Sequence, residues 1–240
     1  MNDWLERTEL LLGAEKLERL QNANILVAGL GGVGGYAAEM LCRAGIGQMT
    51  IVDGDVVGLS NVNRQLIATQ FNVGNSKCSE FEKRLHSINP NIKLNVVDRF
   101  VDEESFAELL DSDTFDYVVD AIDTLSPKVA LIKESLDRNI PLVSSMGAGS
   151  KTNPKLLEIC DISKSHHCPL AHMLRKRLSR IGIKTGFRVV FSPEPVREGS
   201  MILCEERNKK SNVGTISYMP PLFGIYCASV VIRDLLGELD

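Results

Sequence analysis

Apolar residues in this chain gather into short unbroken runs, each closed by a glycine, a serine or an acidic residue, with stretches of mixed character between them. The runs at residues 25–28, 49–52, 94–97, 117–121, 141–145 and 187–191 read as strands. Residues 15–20, 34–43, the acidic stretch 102–110 and residues 128–138 read as helices. The helix at 34–43 is rich in alanine and other small residues, which lets it pack close to a sheet, and it ends at Gly45-Ile46-Gly47. Strands alternating with helices at this spacing predict an α/β fold with a doubly wound, mainly parallel, Rossmann-like sheet. Such sheets bind ligands at the carboxyl ends of their strands, where Gly29, Asp53, Asp123 and Gly147 fall.

With 240 residues, 44% of them hydrophobic, the chain can bury one large core, and it is expected to form a single α/β unit, residues 1–240. Within it, residues 1–150 read as a nucleotide-binding core, and 151–240 as a basic segment with an extension completing the substrate side. The net charge of −4 excludes a wholly basic nucleic-acid binder but leaves room for a local basic face. Between residues 151 and 188 stand nine basic residues (Lys151, Lys155, Lys164, Arg175, Lys176, Arg177, Arg180, Lys184 and Arg188) against two acids, Glu158 and Asp161. Taken alone, such a run reads as a solvated face. Residues 208–211 read as a polar loop.

Six scattered cysteines, none in a Cys-x-x-Cys pair, give neither a disulfide framework nor a paired-thiolate zinc site. His166-His167-Cys168 with His172 lacks an established zinc spacing. The opening residues carry charges and no apolar core of a secretion signal, so a cytoplasmic location is expected. The longest apolar stretch, 222–232, is too short for the roughly 20 helical residues that span a bilayer, and it reads as a buried C-terminal helix.

The chemistry concentrates between residues 29 and 77. Gly29-Leu30-Gly31-Gly32-Val33-Gly34 follows a strand and opens a helix, as a turn that cradles phosphates must. By itself this suits a dinucleotide cofactor, with Asp53 holding a ribose. Asp55, Asn61-Val62-Asn63-Arg64-Gln65 and Lys77 are not required by that reading. An arginine and a lysine beyond the ribose-binding strand suit cleavage of a nucleoside triphosphate, which concentrates more negative charge. No Gly-x-x-x-x-Gly-Lys-Ser/Thr loop occurs, so P-loop chemistry is excluded.

In order and spacing, Gly29 to Gly34, Asp53, Ser60-Asn61-Val62-Asn63-Arg64-Gln65, Lys77 and Asp120-Ala121-Ile122-Asp123 resemble the adenylate-forming superfamily of ubiquitin-activating enzymes and the ThiF- and MoeB-like adenylyltransferases of thiamine and molybdopterin synthesis. Thr8-Glu9-Leu10-Leu11-Leu12-Gly13, Val73-Gly74, Ile88-Asn89-Pro90 and Asp120-Ala121-Ile122-Asp123-Thr124 are most similar to its tRNA threonylcarbamoyladenosine dehydratase branch. The resemblance implies an ATP site lined by Gly29, Gly31, Gly32, Gly34, Asp53, Asp55, Ser60, Asn61, Asn63, Arg64, Gln65, Lys77, Asp123 and Thr124. It gives Asp53 the ribose, Arg64 and Lys77 the phosphates, and Asp123 a magnesium ion. It also implies a homodimer in which Arg7 reaches the partner's phosphates.

That branch activates the threonyl carboxylate of N6-threonylcarbamoyladenosine, beside the anticodon of ANN-decoding tRNAs, by adenylation. The neighbouring carbamoyl group then closes a five-membered ring. The basic segment becomes the candidate tRNA contact. Relatives that carry a late cysteine suggest a relay and a sulfur-relay protein partner; here residues 212–217 contain none, and Cys204 and Cys227 receive no role. The competing readings are an adenylyltransferase for a ubiquitin-like sulfur carrier, disfavoured because its paired Cys-x-x-Cys motifs are missing, and a nicotinamide-binding module indifferent to Arg64.

Overall fold

The computed structural model describes residues 3–206 and 209–239. After a 3-10 turn at Asp3–Leu5, the elements are α1 (Glu6–Leu12), α2 (Ala14–Asn22), β1 (Asn24–Ala28), α3 (Gly34–Arg43), β2 (Gln48–Val52), α4 (Lys77–Ile88), β3 (Lys93–Val97), α5 (Glu103–Asp111), β4 (Tyr117–Asp120), α6 (Leu125–Asp137) and β5 (Leu142–Ser145). The chain continues through β6 (Glu158–Asp161), α7 (Pro169–Arg180), β7 (Arg188–Phe191), β8 (Met201–Glu206), β9 (Lys209–Val213) and α8 (Met219–Leu235).

Seven strands form one sheet in the order β3-β2-β1-β4-β5-β7-β6. Every pairing is parallel except β6 with β7, so the mainly parallel, doubly wound sheet read from the sequence is present. The strand order reverses direction between β1 and β4. At that point the loops after the two strands run to opposite faces and leave a crevice at the carboxyl edge.

Both faces of the sheet are covered, which is why its central strands are apolar without alternation. Ile25 and Val27 of β1 pack with Leu41 of α3, Phe81 of α4 and Phe223 of α8. Leu26 and Ala28 of the same strand pack with Phe106 of α5, Leu131 of α6 and Leu174 of α7. The expected buried C-terminal helix is α8, with Phe223, Cys227, Val230 and Val231 inside. It crosses α3 so closely that a Cβ on Gly224 would stand 2.2 Å from the Val33 carbonyl oxygen. Among the described residues no helix is long and apolar enough to cross a membrane.

Three sequence readings change. Helix α6 starts at Leu125 rather than 128, because Pro127 sits in the first turn, where a missing N–H costs no helical hydrogen bond. The stretch expected as a polar loop is largely strand: β9 pairs antiparallel with β8, and Asn208 lies outside the described residues. Its polar sequence hid the strand because backbone pairing, not an apolar stripe, defines a two-stranded ribbon.

The basic segment is more ordered than a charge run suggests. It contributes β6 and α7, and α7 buries Ala171, Leu174 and Leu178 at helical spacing. Lys151 is buried and donates to the Glu194 carbonyl. Arg175 is half-buried and donates to the Ser165 carbonyl at 2.7 Å, and Arg188 is half-buried within β7. Lys155, Lys164, Lys176, Arg177, Arg180 and Lys184 remain exposed.

Candidate active site

The site begins where β1 ends. Gly29 adopts φ +89°, a conformation that strains any side chain, and its N–H donates to the Val52 carbonyl at 2.8 Å, tying the turn to β2. The chain then reverses so tightly that a Cβ on Gly34 would lie 1.7 Å from the Gly29 carbonyl oxygen. This brings the amino end of α3, with its unpaired N–H groups and positive dipole end, up to the crevice. Around Gly31, by contrast, the nearest atom to a built Cβ is Gln65 Nε2 at 3.8 Å, so this face of the turn stays open.

Asp53 follows β2 and locks the turn from the side. Its carboxylate accepts the Leu30 N–H at 2.7 Å and the Asp55 N–H at 2.8 Å. Lys77, the first residue of α4, is buried, donates to Asp55 at 2.8 Å and stands 3.8 Å from Asp53. Burial pushes the Asp53 carboxyl above the usual range, against the pull of the Lys77 ammonium and the two amides. Lys77 thus sets a positive charge against the acidic pair, with donor capacity left for a further anion.

Arg64 stands on the other side of the turn. It sits in the connection from β2 to α4, just after a 3-10 turn at Leu59–Asn61. Its Nη1 donates to the Ser60 carbonyl and to Asn63 Oδ1, each at 2.8 Å, and its carbonyl and Cγ lie over Gly32. Burial lowers the guanidinium's proton affinity, and the Asp123 carboxylate nearby opposes that loss. Asp123 is exposed in the loop between β4 and α6, and Thr124 caps α6 in an extended conformation without a side-chain bond.

The candidate residues therefore meet around one Gly-rich turn: Asp53 and Asp55 paired with Lys77 on one side, and Arg64, with the Asp123 carboxylate near it, on the other. Two of them serve the scaffold. Asn61 Oδ1 accepts the Gly58 N–H at 2.9 Å, closing the turn, and Asn63 donates to the Thr215 carbonyl at 3.0 Å. Ser60 is exposed and contributes its carbonyl to Arg64. Arg7 is not brought into this group: it is exposed on α1, whose neighbours are α2 and the 3-10 turn before it.

Gln65 is buried beside Gly31, and its Oε1 is the sole buried side-chain oxygen or nitrogen among the described residues without a hydrogen-bond partner. A buried acceptor left unpaired costs free energy, and a ligand hydroxyl or amine entering the crevice would relieve it. This fits a nucleotide. For a metal, Asp123 offers one exposed carboxylate, which suits magnesium held by one carboxylate together with substrate phosphates. Among the described residues, no group of three or more His, Cys, Asp or Glu side chains could hold a metal ion.

Sequence reasoning missed Pro220, Thr215 and Lys128. Pro220, at the start of α8, lies over Gly32, and Thr215 holds Asn63. Lys128 and Asp120 form a fully buried ion pair under the Asp123 loop. A lysine directly before the apolar stretch Val129-Ala130-Leu131-Ile132 of a helix was the available signal. Three of the cysteines stay out of the chemistry as neutral thiols: burial pushes Cys42 up to about 11, and Cys78 and Cys227 up to about 12.

Comparison with known proteins agrees with this geometry. The ThiF family profile matches residues 5–239. A tRNA threonylcarbamoyladenosine dehydratase of Bacillus subtilis is 39% identical over 98% of this chain and 95% of its own length. The Escherichia coli tRNA N6-threonylcarbamoyladenosine dehydratase in complex with ATP superposes with a TM-score of 0.89 at 34% identity, covering 99% of this chain and 97% of that one. Its complex with AMP superposes with a TM-score of 0.89 at 33% identity and the same coverage.

Proposed function

The chain belongs to the ThiF family, and from that membership we propose that it is an ATP-dependent tRNA threonylcarbamoyladenosine dehydratase. The observation that carries the reading is the meeting of Asp53, Lys77 and Arg64 around one Gly-rich turn, in a chain of which 98% is matched by a dehydratase. Residues 1–240 act as one unit, with 1–150 holding the nucleotide and 151–240 completing the substrate side.

ATP enters as substrate at the carboxyl edge of β1, β2 and β4. Open backbone at Gly31 and the amino end of α3 face the phosphates, Asp53 and Gln65 the nucleoside, and Arg64 and Lys77 the charge that builds at the α-phosphorus. Magnesium, held by Asp123, would neutralise part of the triphosphate charge. The substrate carboxylate attacks the α-phosphorus, the bond to the bridging oxygen breaks, and pyrophosphate leaves. The carbamoyl group next to the new mixed anhydride then attacks its carbonyl carbon, loses a proton and expels AMP, which carries away the carboxylate oxygen. Because nucleophile and acyl group share one molecule, proximity supplies much of the rate, and neither a cysteine relay nor a sulfur-relay partner is required. Adenylation of a carrier protein is the rival, and it is not favoured. Pyrophosphate release driven by the modified tRNA, and not by a small protein with a Gly-Gly tail, separates the two.

The exposed face of α7 supports a tRNA contact at the anticodon loop of ANN-decoding tRNAs. His172, Lys176 and Arg180 recur every fourth residue there, with Arg177 beside them. Replacing Lys176, Arg177 and Arg180 together by alanine is expected to weaken tRNA binding about 10- to 100-fold at low salt and to flatten the salt dependence by about 2 to 3 phosphate contacts. Binding measured over a salt series checks this, and an unchanged slope would remove α7 from the interface. Action on tRNA with ATP also fits a cytoplasmic location.

A homodimer is supported by apolar residues left in solvent, with Leu10 80%, Leu11 83% and Phe71 100% exposed, and by the separation of Arg7 from the site. In such a dimer Arg7 serves the partner's phosphates. Arg7→Ala and Arg64→Ala proteins should each be nearly inactive, yet a mixture allowed to exchange subunits should regain about a quarter of the wild-type rate. In the mixed dimer one site has its own Arg64 and the other chain's Arg7. A mixture no more active than its parts would contradict the exchange.

A further inference from the structure

Asp120 ends β4, Lys128 lies in the first turns of α6, and both side chains are 0% exposed with Nζ and Oδ2 2.8 Å apart. Removing two charges from water is costly, and apolar residues of similar size often replace such pairs without loss of stability. Here Ala130, Leu131 and Ile132 of the same helix already lie in the apolar layer. The pair does something that apolar side chains could not. Asp120 Oδ1 accepts the Ile122 N–H at 3.1 Å, and Lys128 Nζ donates to the Ile122 carbonyl at 2.9 Å. The peptide groups on both sides of Ile122 are thus held, and the second leads directly into Asp123.

This arrangement is anchored from two further directions. Ser144 Oγ on the neighbouring strand donates to Asp120 Oδ2 at 2.6 Å, and the Ala121 N–H donates to the Ala28 carbonyl at 2.9 Å. The Ala121 carbonyl, in turn, abuts the Gly29 turn, where a built Cβ would meet it at 2.8 Å. One buried network therefore fixes the Asp123 loop and the phosphate-binding turn relative to each other, while Asp123 itself faces solvent.

We propose that Lys128, through its pair with Asp120, is a positioning residue for adenylation: it clamps the Ile122 peptides so that Asp123 is presented to the metal in one geometry. This rests on the reading of Asp123 as the magnesium-binding carboxylate.

The test uses the full chain with Lys128→Met, the double variant Asp120→Asn/Lys128→Met, which leaves no unpaired charge, and Ser144→Ala, which removes one hydrogen bond and keeps the test readable where the charge variants unfold. In folded variants, amides of residues 121–125 should exchange with solvent about 10-fold faster in protein without nucleotide. Calorimetric ATP affinity without metal should stay within about 2-fold of wild type, while the Mg2+ concentration giving half-maximal enhancement rises about 10-fold, a typical cost of losing an outer partner of a metal ligand. kcat should fall more than the KM for ATP rises.

A cooperatively melting variant with unchanged exchange and unchanged Mg2+ response would overturn the proposal. So would faster exchange with an unchanged Mg2+ response, because the clamp would then be structural only. Asp123→Asn separates the two levels: if it also leaves the Mg2+ response unchanged, the metal assignment itself fails and the inference with it.

Discussion

Replacing Arg64 by alanine is expected to lower the rate of tRNA-dependent AMP formation about 1,000-fold while costing less than about 1 kcal/mol of stability. The effect is large because the guanidinium is pre-positioned: the Ser60 carbonyl and Asn63 Oδ1 hold one of its nitrogens, and its stem lies against Gly32 of the phosphate-binding turn. Little reorganisation is then needed as charge grows on the α-phosphate, which is the condition under which a cation contributes most to a transition state. The cost to the fold is small because Arg64 is half-buried in a connection and its bonds go to that same connection. Arg64→Lys should recover only part of the rate, since a point ammonium cannot match a planar fork held at one edge. Single-turnover AMP formation and a thermal melt measure the two quantities. A loss under tenfold with the fold intact would take Arg64 out of the phosphate site.

The second large effect falls on the fold itself. Gly34→Ala places a Cβ 1.7 Å from the Gly29 carbonyl oxygen and 3.0 Å from the Ala121 Cβ. Neither neighbour can yield cheaply. Gly29 is fixed by its bond to Val52, and the Ala121 N–H is bonded to Ala28. The expected result is a loss of about 3 kcal/mol or more, above the ordinary cost of overpacking because backbone, not a flexible side chain, must move. ATP binding should be lost with it, since the same shift turns the α3 amino end away from the crevice. Chemical denaturation measures the first and calorimetry the second. A stable Gly34→Ala protein that binds ATP normally would show the turn to be far more compliant than its geometry indicates.

Much of this was legible in the sequence. The apolar runs marked six strands of the seven-stranded sheet, because strands covered on both faces need continuous apolar residues. The strand that escaped, β6, carries Glu158-Ile159-Cys160-Asp161 at the sheet edge and has no such run. Helix α7 was obscured by charge: its buried stripe of Ala171, Leu174 and Leu178 is narrow, and the basic residues between them dominate the reading. Lys151, counted from sequence with the exposed basic residues, is buried because a carbonyl, that of Glu194, lies where its ammonium arrives.

At the candidate site, Arg64, Asp53, Lys77 and Asp123 were singled out from order and spacing, and the fold brings them to one edge. What the sequence could not reveal was their pairing. Lys77 follows Asp55 by 22 positions and meets it because the connection from β2 folds back on itself, the Lys77 N–H donating to the Asp55 carbonyl at 3.1 Å, whereas Asp123 follows Arg64 by 59 and comes near it because β4 lies beside β1. The scaffold duties of Asn61 and Asn63 were equally hidden, since an asparagine that closes a turn and one that meets a ligand look alike in a motif.

The central claim is dehydration of a tRNA nucleoside through an adenylate. The direct measurement is mass spectrometry of nucleosides from tRNA carrying N6-threonylcarbamoyladenosine, after incubation with this protein, ATP and magnesium and mild digestion that preserves a cyclic product. The account predicts that the nucleoside loses the mass of one water, only when ATP is present, with AMP formed in equal amount. An unchanged nucleoside, from protein that still forms an adenylate on a carrier protein's Gly-Gly tail, would contradict it.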